Sequence, residues 1–168
     1  MLKLRGVAFE RTELGGLRAA VKLPESLKPE PSSARLALSV EPGDGSRQAH
    51  GFALQEVVPG SSPPLTGVAA RAGERVFVYR INPAELPRLE QFRREILARR
   101  ANASQSPRLS LSVAARACRE TELPSAALLM TTYLATPETD GFVALTHDVD
   151  LRTLAGGNIE RAVPPCPR

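Results

Sequence analysis

The sequence predicts a mainly β domain: an antiparallel, sandwich-like fold of about eight strands with one amphipathic helix. Three observations carry this. Most apolar residues recur with period two between proline and glycine positions, as half-buried strands require. Turn residues return at the spacing common in sandwiches. One stretch, near residues 84–100, changes to the helical period.

The elements follow in chain order. Leu2 to Glu10 has a mixed strand pattern. Leu17, Ala19, Val21 and Leu23 alternate with Arg18, Ala20 and Lys22 and stop at Pro24. The segment from Pro24 to Ser33 holds three prolines and is expected as an irregular surface connection. Leu36, Leu38 and Val40 alternate up to the turn residues Pro42-Gly43-Asp44-Gly45, and Phe52 and Leu54 resume afterwards. Residues 35–41 and 51–58 therefore form a hairpin with a long loop. The run Pro59-Gly60-Ser61-Ser62-Pro63-Pro64 is a loop within one domain, because the flanking pieces are too small for separate cores. Val76 to Ile81 is apolar on both faces except at Arg80, which marks a central strand.

In the helix, Leu86, Leu89, Phe92, Ile96 and Leu97 form the apolar stripe. Asn82, Pro83 and Glu85 resemble a capped start. Pro87 would forfeit a backbone hydrogen bond further in, so the first turn is expected to be separate from the main helix. Arg88, Glu90, Arg93, Arg94, Glu95, Arg99 and Arg100 read as a solvated face, with Glu90–Arg94 and Glu95–Arg99 as i,i+4 pairs. Further strands are expected at Leu109 to Ala117, Leu128 to Ala135 and Phe142 to Leu151. The chain closes in a proline-rich tail from Val163.

At 168 residues and 18.0 kDa the chain fits one domain, residues 1–168. Its +4 net charge and pI near 9.6 raise the question of nucleic acid. The basic residues run from Lys3 to Arg168 without clustering, and aromatic residues make up only 4 %, so no nucleic-acid partner is expected. Nineteen of the 22 basic residues are Arg, and Ala, Leu, Pro and Gly abound; a GC-rich genome accounts for that surplus.

The cysteines say most about location. Cys118 follows a strand-like stretch and Cys166 lies in Val163-Pro164-Pro165-Cys166-Pro167-Arg168. A tail so rich in proline cannot form a helix or a central strand, and a disulfide to Cys118 would hold it. Such a bond closes a loop of about 49 residues and is worth roughly 4 kcal/mol by chain entropy. It places the protein in an oxidising compartment. Met1-Leu2-Lys3-Leu4-Arg5 is no signal peptide, so export implies that Met1 replaces a removed leader.

Chemistry-bearing motifs are sparse. His147, Asp148 and Asp150 form the one ionisable cluster worth weighing, as the centre of a hydrolase or metal-dependent enzyme. In a regular strand Asp148 and Asp150 would face away from His147, which suits neither a His–Asp pair nor a complete cation site. A Cys118–His147 nucleophilic pair competes directly with the disulfide. Two cysteines with the distant His50 and His147 lack zinc spacing. No glycine-rich phosphate loop or nucleophile elbow occurs. No catalytic, cofactor or metal residue is therefore assigned, and no cofactor is expected.

The stretch Leu109 to Arg119, with Leu123-Pro124, Met130 to Leu134 and Leu145 to Arg152, resembles a pattern in small exported proteins, predicted lipoproteins of high-GC alphaproteobacteria. The resemblance covers about the last 90 residues and implies a periplasmic or outer-membrane location, with a lipidated cysteine lost ahead of Leu2 as the possible membrane anchor. It implies no reaction. The expectation is a non-enzymatic accessory or interaction module of the cell envelope with a protein partner. A periplasmic small-ligand-binding protein, with a pocket between sheet and helix, is the alternative.

Overall fold

The computed structural model describes residues 9–41, 45–58, 64–102 and 107–168. Nine strands lie among them: β1 (Arg18–Pro24), β2 (Leu27–Pro29), β3 (Arg35–Glu41), β4 (Gln48–Glu56), β5 (Glu74–Ile81), β6 (Arg108–Ala114), β7 (Ala117–Arg119), β8 (Leu129–Ala135) and β9 (Val143–Asp150). The long helix α1 spans Leu86–Asn102, and the short helices α2 (Leu151–Leu154) and α3 (Ile159–Ala162) follow β9.

Seven strands form one antiparallel sheet in the order β6-β3-β4-β5-β1-β8-β9. The mainly antiparallel β class and the helix are as the sequence predicts. The seven-stranded sheet curls into a nearly closed barrel. Strand β4 makes the continuity possible, because it pairs with β3 through Gln48–Ala53 and with β5 through Leu54–Glu56. β2 and β7 make a second, two-stranded sheet.

Period-two alternation fills the barrel. Ala19, Val21 and Leu23 of β1, Leu36, Leu38 and Val40 of β3, and Phe52 and Leu54 of β4 are buried in one core. Leu89, Phe92 and Ile96 of α1 belong to the same core, so the helix covers this face. Burial of each contributes on the order of 1.5–3 kcal/mol. Phe92 meets Phe52 edge-on at 5.8 Å between ring centroids, Phe9 at 6.5 Å and the His50 ring at 4.8 Å. The separate first turn is present: Pro83–Glu85 is a 3₁₀ turn, with Asn82 accepting from the Ala84 N–H at 3.0 Å.

Several expectations are corrected. The polar side of α1 is not simply solvated. Arg93 donates to Thr12 O at 2.6 Å and pairs with Glu90 at 2.5 Å, Arg100 pairs with Glu10, and Arg99 reaches Gln48. The partner of Glu90 is thus one turn position nearer than the expected Arg94. Arg88 lies over the Phe52 ring at 4.2 Å. Long basic side chains reach back from the helix to the N-terminal segment and the sheet. The irregular segment after Pro24 contains β2, with Leu27 fully buried. The expected strand from Leu109 to Ala117 stops at Ala114 and restarts as β7, which pairs elsewhere. β9 ends at Asp150, and Leu151 begins α2. The strand expected from Leu2 to Glu10 lies outside the described residues up to position 8, and Phe9 and Glu10 form part of a turn. Most of the Pro59–Pro64 loop, and Pro42 to Asp44 of the hairpin loop, are also outside them.

The outer face of β1 is covered as well. Ala20, Val78, Tyr133 and Phe142 form a second apolar cluster, with Val57 and Val68 packed on it. The segment over this face is pinned by the Phe142 N–H, which donates to Thr66 O at 2.7 Å. Gly67 permits the approach, since a Cβ there would stand 2.2 Å from Phe142 O and its φ is +88°. Lys22, outward on β1, is consequently buried. Its ammonium donates to Ala69 O at 2.8 Å and pairs with Glu74 at 3.0 Å.

Burial pulls the Lys22 pKa down, but the hydrogen bond to Glu74 and the electrostatic influence of Tyr133 and Glu74 outweigh it and hold the pKa above the ordinary 10.5. A raised folded-state pKa adds stability that is fully present below the unfolded value and lost as pH rises through the folded one. The difference in unfolding free energy between wild type and Lys22→Met should therefore stay level from neutral pH to about pH 9 and shrink above about pH 10.5. Chemical denaturation across that range checks this.

Candidate functional site

One mouth of the barrel is closed by residues that the sequence separates widely. β6 leaves the main sheet after Ala114, and Ala115-Arg116 carry the chain across the mouth. The Arg116 N–H donates to Ser33 Oγ at 3.1 Å, and Arg116 O accepts from the Glu30 N–H at 2.7 Å. β7 then pairs with β2, Pro29 opposite Ala117 and Leu27 opposite Arg119.

The tail docks on this ribbon. The Arg119 N–H donates to Pro164 O at 2.8 Å and the Cys166 N–H donates to Arg119 O at 2.9 Å. Pro165 forms a parallel bridge with Arg119. A proline-rich segment can serve as such an edge because only the Cys166 N–H is needed as donor. Cys118 and Cys166 are joined by a disulfide, with Cα atoms 4.8 Å apart, as the sequence predicts. Cys118 is buried.

Between β9 and this staple lie α2 and α3. Asp150 caps α2, its Oδ1 accepting from the Arg152 N–H at 3.0 Å and the Leu128 N–H at 3.3 Å. Asn158 caps α3 by accepting from the Arg161 N–H at 3.2 Å. Gly156 and Gly157, with φ of +64° and +93°, turn the chain between them. Ile159 and Val163 are buried beneath.

The two helices roof an apolar pocket of about 250 Å³. Val21 and Leu23 of β1 and Met130 of β8 face it from the barrel, and Leu151, Leu154, Ala155 and Ile159 face it from the roof. Among the described residues, Arg116 is the one charged residue of the lining. An apolar space of about 150 Å³ already accepts a benzene-sized guest, so this one suits a small apolar molecule or chain. Sequence reasoning missed this lining. The signal available was the run Leu151, Leu154, Ala155 and Ile159, whose spacing is helical directly after a strand.

A second recess of about 450 Å³ is more polar, bordered by Lys28, Glu30, Glu56 and Tyr79. Burial, aided by the charge of Glu56, pushes the Tyr79 phenol far above its ordinary pKa, so it stays protonated. The charges here are largely engaged within the chain: Glu30 pairs with Arg116 at 3.2 Å, and Arg35 donates to the carbonyls of Ser32 and Ala34.

The ionisable cluster on β9 does not assemble into a reactive centre. His147 is exposed. Asp148 has a left-handed backbone, φ +46°, beside register shifts in the β8–β9 pairing, so regular alternation breaks there. Its carboxylate accepts from Thr131 Oγ1 at 3.2 Å, and its N–H donates to the same oxygen at 3.0 Å. Asp150 is the helix cap. Among the described residues, no group of three His, Cys, Asp or Glu side chains is arranged to hold a metal ion. Cys118 is bonded to Cys166 and cannot pair with His147 as a nucleophile.

The chain matches no known protein family, no curated protein and no solved structure. Fold and site together define a curled, mainly antiparallel β domain with a disulfide-stapled mouth. The disulfide is compatible with an exported protein, and among the described residues no helix is long and apolar enough to cross a membrane.

The β9 geometry separates scaffold from chemistry. Replacing Asp150 with Ala should cost about 1 kcal/mol through the lost cap. Replacing the exposed His147 with Ala should change stability by less than about 0.5 kcal/mol. Urea unfolding of both variants checks the contrast.

Proposed function

We propose that the protein is a non-enzymatic module of the bacterial cell envelope, periplasmic or lipid-anchored, that binds a small apolar ligand at its stapled mouth. The observation that carries this reading is the 250 Å³ pocket, lined by aliphatic side chains from barrel and roof. Barrel mouths are common ligand sites, and a mostly apolar lining with a single polar handle is their usual composition. The structural engagement of Asp148 and Asp150 favours binding over catalysis. The disulfide supports placement in an oxidising compartment. Among the exposed large apolar side chains, Leu154 stands at the pocket itself.

Calorimetric titration with 1-octanol tests the reading. One saturable site with a negative heat-capacity change is expected, as for burial of apolar surface. Ala155→Phe, which fills the pocket from its roof, should weaken binding at least about tenfold; loss of a few buried methylene contacts already accounts for that. Absence of saturable binding, or binding indifferent to Ala155→Phe, would refute the site.

A further inference from the structure

We propose that the pocket takes an unbranched aliphatic monocarboxylate, its chain among the aliphatic residues and its carboxylate on Arg116 at the entrance. This rests on the pocket being the binding site and goes further by naming the ligand's class.

Three observations lead to it. Arg116 is the one charged group on a lining otherwise made of Val, Leu, Ile, Met and Ala. An apolar interior with a single basic residue in its lining matches an amphiphile with one anionic end. Next, the Arg116 backbone is fixed: its N–H and C=O are held by Ser33 and Glu30, so the side chain starts from a defined point. Finally, the guanidinium is available. Its Nε faces Glu30 at 3.2 Å, the side chain is 77 % exposed, and among the described residues its two Nη groups have no hydrogen-bond partner. A guanidinium presents N–H groups in a fork that fits a carboxylate in two-point contact. The Glu30 pair is an exposed one, worth little, and does not exclude a second carboxylate on the free edge. Glu30 also keeps the entrance from being a general anion site, since a ligand without a chain to bury gains little beside a competing carboxylate. Arg152, on the roof helix α2, is engaged with the carbonyls of Pro124 and Ala126. A pocket of 250 Å³ lies just below the roughly 300–1,000 Å³ usual for drug-sized ligands, which limits the buried chain to a short or medium length.

The test is a calorimetric series of straight-chain carboxylates from butanoate to dodecanoate, with the matching alcohols, at fixed ionic strength. Each added methylene should tighten binding about fourfold until the pocket is full. Octanoate should bind wild type about two- to fivefold more tightly than octanol, as an ion pair on an exposed guanidinium allows. In Arg116→Gln, octanoate should lose its advantage and fall to or below octanol, because Glu30 then faces the ligand alone. Glu30→Gln should tighten octanoate and leave octanol as it was. Equal affinity for the two series, with Arg116→Gln without effect, would overturn the carboxylate assignment and leave the apolar pocket standing. Failure of both series to saturate would overturn the pocket reading with it. Retention of octanoate binding in Ala155→Phe would place the carboxylate elsewhere and overturn the assignment as well.

Discussion

The Cys118–Cys166 bond decides what the last third of the chain can be. Without it, Pro164 to Arg168 is a proline-rich end whose Cys166 N–H alone reaches the ribbon. With it, that donor and Pro164 O complete two hydrogen bonds to Arg119 and extend the β2–β7 ribbon by an edge. The chain-entropy contribution of about 4 kcal/mol exceeds what two hydrogen bonds at an exposed edge would supply. Everything between β9 and the staple inherits its position from this fact. Helices of four residues have no stability of their own in water, so α2 and α3 depend on their caps, on the buried Ile159 and Val163, and on being held at both ends.

The barrel has a different logic. Its inner face is filled by ordinary alternation, with α1 closing what the sheet leaves open. β1 is the exception, since it is buried on both faces and lies between β5 and β8. The segment pinned at Thr66 and Phe142 covers its outer side and encloses the Lys22 ammonium with Glu74. A buried ion pair of this sort stabilises little over an apolar substitute, yet removing one partner is costly. It therefore fixes where the covering segment sits.

Features set by local pattern were legible in the sequence. The stripe Leu89, Phe92 and Ile96 has helical period and is buried, Pro87 separates the first turn as its missing N–H requires, and two cysteines in a cysteine-poor chain are joined. Features set by tertiary context were not. β2 and β7 are three residues long and contain or border proline and polar residues, so no periodicity marks them. Lys22 reads as an outward strand residue until another segment covers it. Asp148 occupies a left-handed bulge that ordinary alternation conceals. The single curled sheet depends on β4 changing partners between Ala53 and Leu54, and strand pairing is not written in hydrophobic period. The pocket draws on β1, the 115–117 crossing, β8 and the C-terminal helices; only the last left a periodic trace.

The central claim is that one covalent bond holds the roof of the mouth while the barrel stands independently. Hydrogen exchange by mass spectrometry, on the native protein before and after reduction, tests it most directly. Reduction should speed exchange in residues 151–166 and 117–119 while β1, β3 and β8 keep their protection. Equal loss of protection across the barrel strands, or a C-terminal segment as protected reduced as oxidised, would contradict it.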